Sequence, residues 1–362
     1  MRLNVIKAYL KKEFIDLIRN KMIVLIYLIP FMILILFGYG IKMEVTHTRT
    51  IIIDNDHSKL SLEIINKFSH TKYFDVKVEN LSYKEALHKI QTNKADMIII
   101  IPPSFSKNLY KGAQIGVFID GSFPLRAVTL QGYVEKVLIN GFNIKLPIKI
   151  ENRNFFNESM RDYNAVVPGL FGLIFLVVPA SLAAIMIVKE KEVGTIFNFY
   201  SAPIKKYEFI LAKLIPPFLF HSLNIFILLI LALYIFGVPF RGNLFIFWIS
   251  SEIYILISVG IGLLVSIITS TQIAAFVLSV IITVIPGFLY SGILMPISSM
   301  SKESFVEAHI FPVMYYNHLV YDSFLIGEGF KSSENILYFF ILCTYAFVLI
   351  TIGTLLVKKA IK

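Results

Sequence analysis

Six apolar runs dominate the chain, over residues 22–41, 165–188, 209–236, 244–269, 273–290 and 335–357. Each is close to or above the roughly 20 residues that carry a helix across ~30 Å of hydrocarbon. In lipid every backbone N–H and C=O must be paired within the segment, so runs like these fold as helices. The spacing predicts an all-α membrane bundle of six transmembrane helices. A composition that is 56% hydrophobic argues against a soluble enzyme. The net charge of +10 does not point to nucleic acid. The basic residues crowd the N-terminus, the 189–213 segment and the C-terminus, which places these three on the cytoplasmic side of a six-span protein. Cys343 is the single cysteine, so no intrachain disulfide forms. The histidines show no metal-ligand spacing. No Gly-x-x-x-x-Gly-Lys-Ser/Thr phosphate loop occurs, so any ATP used is hydrolysed by another chain.

Residues 1–21 precede the first run. Ile6, Leu10, Phe14 and Leu17 recur at helical spacing, with Lys7, Lys11, Lys12, Asp16 and Arg19 between them. This predicts an amphipathic helix at the cytoplasmic interface, its lysine stems snorkelling. The run 22–41 is too long for the core of a signal peptide and lacks a small-residue cleavage site, so it reads as an uncleaved anchor.

Residues 42–164 change character, with returning charge and shorter apolar runs. Strands are predicted at 50–54, 73–78, 96–101 and 115–120, and helices at 59–68, 82–91, 104–110 and 124–140. Alternating strands and helices predict an inserted α/β domain. Following a first span that starts inside, it is extracytoplasmic. Asp54, Asp56, His57 and Asp120 form its only tempting polar cluster, and turn and cap chemistry accounts for such residues after a strand.

Between the second and third runs, charges come in blocks: Lys189, Glu190, Lys191 and Glu192, then Lys205, Lys206, Glu208 and Lys213. A segment this charged cannot lie in lipid. A cytoplasmic helix is predicted over 189–207, bent at Gly194 and stopped at Pro203; a plain charged connector is the simpler alternative. The run Lys189-Glu190-Lys191-Glu192-Val193-Gly194-Thr195-Ile196, then Ser201-Ala202-Pro203, then Ala212-Lys213, resembles the coupling segment of type-2 ABC exporter permeases. That family usually has Arg where Lys189 stands, a departure that keeps the charge. Ile53-Asp54-Asn55-Asp56, Ile100-Ile101-Pro102-Pro103-Ser104-Phe105 and Phe118-Ile119-Asp120-Gly121-Ser122 resemble the external domain of one branch of the family. Ser291-Gly292 through Pro296 and Met300, then Phe311-Pro312-Val313-Met314-Tyr315-Tyr316, resemble its second signature. Val320-Tyr321-Asp322-Ser323 follows where the family often has an Arg.

The resemblance implies a permease subunit in the plasma membrane (the inner membrane of a Gram-negative cell). It implies an ABC ATPase dimer as partner, with ATP and Mg on that partner and no cofactor on this chain. It also implies a second permease copy, as homodimer or sister-chain heterodimer, and allows a periplasmic adaptor. Lys189, Glu190, Lys191, Glu192, Gly194, Thr195 and Pro203 would then couple the chain to the ATPase, the glutamates pairing with its basic groups. Substrates in the family include drugs, lipids and polysaccharides.

Three intramembrane polar residues are pathway candidates. His221 and Asn224, one turn apart, are expected to hydrogen-bond between helices. Glu252 is a costly carboxylate in a span, within reach of water or Arg241. Residues 291–330, interrupted by Gly and Pro, predict re-entrant or interfacial helices. The tail 358–362 is cytoplasmic. Two other classes compete: a membrane-anchored sensor with an external ligand-binding domain, and an ion-driven secondary transporter working through Glu252. The coupling-like loop counts against the first, and the lack of evident inverted repeats against the second.

Overall fold

A computed structural model describes residues 3–19, 22–41, 45–92, 94–109, 112–121, 124–141, 157, 161–201, 204–293 and 297–357. The chain forms two compact units, Lys42–Asn152 and the remainder, Met1–Ile41 with Arg153–Lys362. Helices α1 (Leu3–Arg19) and α2 (Met22–Gly40) open the larger unit. The buried face of α1 carries Ile6, Glu13 and Leu17. A carboxylate thus interrupts its apolar stripe.

The smaller unit runs β1 (Thr48–Asp54), α3 (Lys59–Ser69), β2 (Phe74–Val78), α4 (Tyr83–Gln91), β3 (Met97–Ile101), α5 (Phe105–Asn108), β4 (Gly116–Ile119) and α6 (Pro124–Gly141). Ser58 and Ser82 start α3 and α4 with reciprocal capping boxes. The sheet order is β2-β1-β3-β4, with β4 antiparallel. Parallel β1 and β3 lie between two apolar layers, as all-apolar parallel strands must. Ile52, Met97, Ile99 and Phe68 pack on one side, and Ile51, Ile53, Ile98 and Ala86 on the other. Asp96 is buried and receives the Arg49 backbone N–H at 3.0 Å and its guanidinium at 2.8 Å, with Arg126 at 3.3 Å. The Arg49 hydrogen bonds hold its carboxyl below the usual range.

The larger unit resumes with α7 (Asp162–Val193), α8 (Ile196–Ser201), α9 (Lys206–Tyr234), α10 (Leu244–Ile268) and α11 (Gln272–Leu289). Two short helices, α12 (Lys302–Ile310) and α13 (Pro312–Tyr321), precede α14 (Ser333–Leu356). They lie where Gly and Pro interrupt the apolar pattern; Leu294-Met295-Pro296 and the tail 358–362 fall outside the described residues. Five helices, α7, α9, α10, α11 and α14, are individually long and apolar enough to cross a membrane. The bent pair α1–α2 makes up to six.

Helix α7 is buried on nearly all sides and is the axis of this unit. Phe171 packs edge-on against Phe175 and Phe247, and Tyr254 stacks on Tyr316 at 4.0 Å. Hydroxyls tie α10 to α7: Tyr254 donates to Gly172 O at 3.0 Å and Ser258 to Leu176 O at 2.6 Å. At Gly262 the backbones themselves meet. A Cβ there would lie 2.3 Å from Ala180 O, closer than any side chain tolerates.

The helix expected over 189–207 does not form as one piece. α7 continues through Lys189–Val193 and ends at Gly194, whose φ of +80° is the left-handed cap conformation that glycine adopts without steric cost. Only Ile196–Ser201 make a separate helix, and Pro203 lies outside the described residues. The physical reason is length. At 1.5 Å per residue, the 32 residues of α7 reach about 48 Å, against ~30 Å of hydrocarbon. Charge forces these residues out of lipid but does not require the helix to end.

Candidate functional site

The charged end of α7 meets α1, α9 and the α10–α11 turn. Glu190 is buried, and its carboxylate lies 2.8 Å from Lys213 Nζ of α9 and also accepts from Lys12 of α1. Glu13 of α1 lies 2.8 Å from the same Lys213 and 3.4 Å from Lys12. Two acids and two lysines therefore alternate in a neutral cluster. Neutrality matters, because Lys213 is only 2% exposed and an unmatched charge there would cost several kcal/mol. Lys189 makes a more exposed pair with Asp16 of α1 at 2.7 Å.

The next two charges face the opposite helices. Lys191 Nζ donates to the carbonyls of Ser266, Ile267 and Thr269 at the C-terminal end of α10. That end presents unpaired carbonyls and the negative pole of the helix. Glu192 accepts from the backbone N–H and side-chain amide of Gln272, both at 2.9 Å, at the start of α11. Four successive residues thus bind α7 to α1, α9, α10 and α11.

Past the Gly194 bend, α8 is anchored through its inward side chains. Ile196 and Phe199 are buried, and Phe199 stacks on Phe209 at 4.1 Å. Val193 and Phe197 point outward, 65% and 54% exposed, beside exposed Thr195. Beneath α8 lies a cavity of about 300 Å³ lined by Ile187, Lys191, Phe199 and Leu263. The arrangement offers a small apolar knob on a charge-locked base.

Glu190, expected to pair with a partner's basic groups, has its carboxylate against Lys12 and Lys213 of this chain. Glu192 is exposed but already bonded to Gln272. Lys12, Glu13 and Lys213 complete the cluster; the sequence reading placed Lys12 on the polar face of the first helix and Lys213 in the coupling segment, and did not single out Glu13. The available signal was Glu13, four residues before Leu17 on an apolar stripe and so in need of a buried cation.

Of the intramembrane candidates, Asn224 and His221 lie together on α9, 3.1 Å apart, and Asn224 also donates to Ile26 O of α2 at 3.0 Å. Glu252 accepts from Ser222 of α9. Arg241, one of the two partners open to Glu252 beside water, donates to Leu325 O at 3.2 Å. The acids of the smaller unit do not form a site. Asp54 accepts from Asp56 N, His57 N and Ser61 Oγ as a turn and cap. Register places Asp54 opposite Ile101 at the end of β3, while Ile119, next to Asp120, pairs with Met97 at its start. No group of three metal-ligating side chains occurs among the described residues.

Residues 21–355 match the model of a family described as ABC-2 family transporter protein. The chain is 29% identical over 336 residues to the probable multidrug ABC transporter permease YbhS of Escherichia coli, covering 89% of each chain. It is 28% identical over 302 residues to the probable multidrug ABC transporter permease YbhR of the same organism, covering 80% of this chain and 82% of that one. The inner membrane transport permease YhhJ of Escherichia coli is 23% identical over 304 residues, 77% of each chain. The family match runs from the residue before α2 to within one residue of the end of α14, and the chain belongs to the ABC-2 transporter family.

Proposed function

We propose that this chain is the transmembrane permease subunit of an ATP-driven exporter. It moves an amphipathic substrate out of the cytoplasm or inner leaflet, and a separate ATPase subunit hydrolyses the ATP. The observation that carries this reading is the junction at the end of α7: an exposed apolar knob, Val193 and Phe197, on a base from which fixed charges reach four helices. The names of the similar permeases support the transport role.

Force applied at α8 would pass through the Gly194 bend into α7. The Glu190–Lys213–Glu13–Lys12 cluster would carry it to α1 and α9, and Lys191 and Glu192 would carry it to α10 and α11. Nucleotide-driven closure of two ATPases would bias two permeases between inward and outward arrangements. In this reading α2, α7, α9, α10, α11 and α14 are the six spans. The termini and α8 are cytoplasmic, and residues 42–164 are external. Glu190 and Lys213 are positioning residues, and α8 carries the ATPase contact.

Purification of the tagged permease from detergent-solubilised native membranes tests the reading. Wild type should bring an ATPase subunit with it, and Phe197→Asp should lose that subunit while the permease itself is recovered in full. Recovery of no ATPase with wild type, or undiminished ATPase with Phe197→Asp, would refute it.

A further inference from the structure

At the opposite end of α7 a second cavity, of about 520 Å³, opens among the start of α7, α12, α13 and the first turns of α14. Ala165 on its wall and Lys189 of the charged junction are separated by about 36 Å along one helix, so the two places are distinct. The volume lies in the range of small-molecule sites.

The lining joins rings to one carboxylate. Phe305, Tyr321 and Tyr338 supply aromatic rings, His309 and His318 supply imidazoles, and Glu334 supplies the carboxylate. Among the described residues, no lysine or arginine lines the cavity. Among the described residues, the hydrogen-bond partner of Glu334 is Tyr338, whose hydroxyl donates at 2.7 Å. His318 stands edge-on to Tyr338, with ring centres 4.8 Å apart, and fixes that ring. Tyr321 is fixed in turn by donating to Ala165 O at 2.8 Å. Asn317 is held at the cavity wall by donating to Gly169 O and Ser291 O. Ring faces attract cations through their quadrupoles, and a carboxylate beside them adds a point charge.

We propose that this cavity binds a hydrophobic organic cation, held by Glu334 and by the rings of Tyr338, Tyr321 and Phe305. A neutral molecule of the same shape would gain the apolar burial and forgo the charge. An anion would meet the Glu334 carboxylate. The proposal gives the exporter reading a class of cargo and rests on that reading for its meaning in transport. Binding itself requires no ATPase.

Equilibrium binding of radiolabelled tetraphenylphosphonium to the purified full-length chain tests the site. Wild type should bind it saturably, with displacement by unlabelled tetraphenylphosphonium and not by neutral triphenylphosphine oxide. Glu334→Gln should weaken binding at least tenfold, and Glu334→Asp should restore most of it. Glu307→Gln alters a carboxylate that accepts from Tyr290 outside the cavity, so its affinity should match wild type. Absence of saturable binding, unchanged affinity in Glu334→Gln, or an equal loss in Glu307→Gln would overturn the proposal. Saturable, Glu334-dependent binding by a chain that recovers no ATPase would refute the exporter reading and leave the site standing.

Discussion

Lys213 stands between Glu13 and Glu190, each 2.8 Å away, so its removal leaves two buried carboxylates to share Lys12. Breaking a buried pair from one side costs about 3–5 kcal/mol, whereas a half-exposed pair contributes about 0–1 kcal/mol. Lys213→Met should therefore lower the melting temperature in detergent far more than Lys189→Met, whose partner Asp16 is 47% exposed. Equal shifts would mean that the cluster is not a unit. In the smaller unit, Asp96 has its carboxyl lowered in the folded state by the hydrogen bonds from Arg49. A depressed carboxylate contributes stability above its unfolded value, near ~3.9, and that stability is lost as pH falls through the folded value. The strand band of the infrared spectrum reports the described sheet in the full chain. Its melting temperature should fall below about pH 4 in wild type, and Asp96→Asn should be lower at neutral pH and flatter with pH.

Gly194 is where α7 ends and α8 turns away. A branched side chain at φ +80° costs about 1–2 kcal/mol, and continuing α7 avoids that cost. Gly194→Val should insert normally and lose ATP-driven transport in vesicles; transport at the wild-type rate would separate the bend from the mechanism. Gly262→Val would force α10 off the Ala180 carbonyl and should lower the melting temperature with no effect on ATPase recovery. The elements were largely legible, because burial enforces period. The strands and capped amphipathic helices of residues 48–141 begin and end close to where the pattern placed them. The apolar runs mark the helices in the same way. The end of α7 was not legible, since Lys189–Glu192 read as an exit from lipid and nothing local says whether the helix stops there. The partners of those charges were not legible either. Glu13 and Glu190 meet through Lys213 only because α1, α7 and α9 converge, a fact that no spacing along one chain contains.

At the scale of the whole molecule, the proposed topology of six spans with both termini inside would leave residues 42–164 outside and α8 inside. In a Cys343→Ala background, a cysteine at His88 should react with an impermeant maleimide in intact cells, and one at Lys205 only after permeabilisation. The reverse pattern would invert the topology and remove α8 from any cytoplasmic ATPase. The claim on which the rest depends is that the outward face of α8 touches that subunit. Photo-crosslinking from a benzoylphenylalanine placed at Phe197, with Phe199 as the inward control, reads it directly in native membranes. An adduct carrying the nucleotide-binding subunit should form from 197 and not from 199. No such adduct from 197, or equal adducts from both positions, would contradict the account.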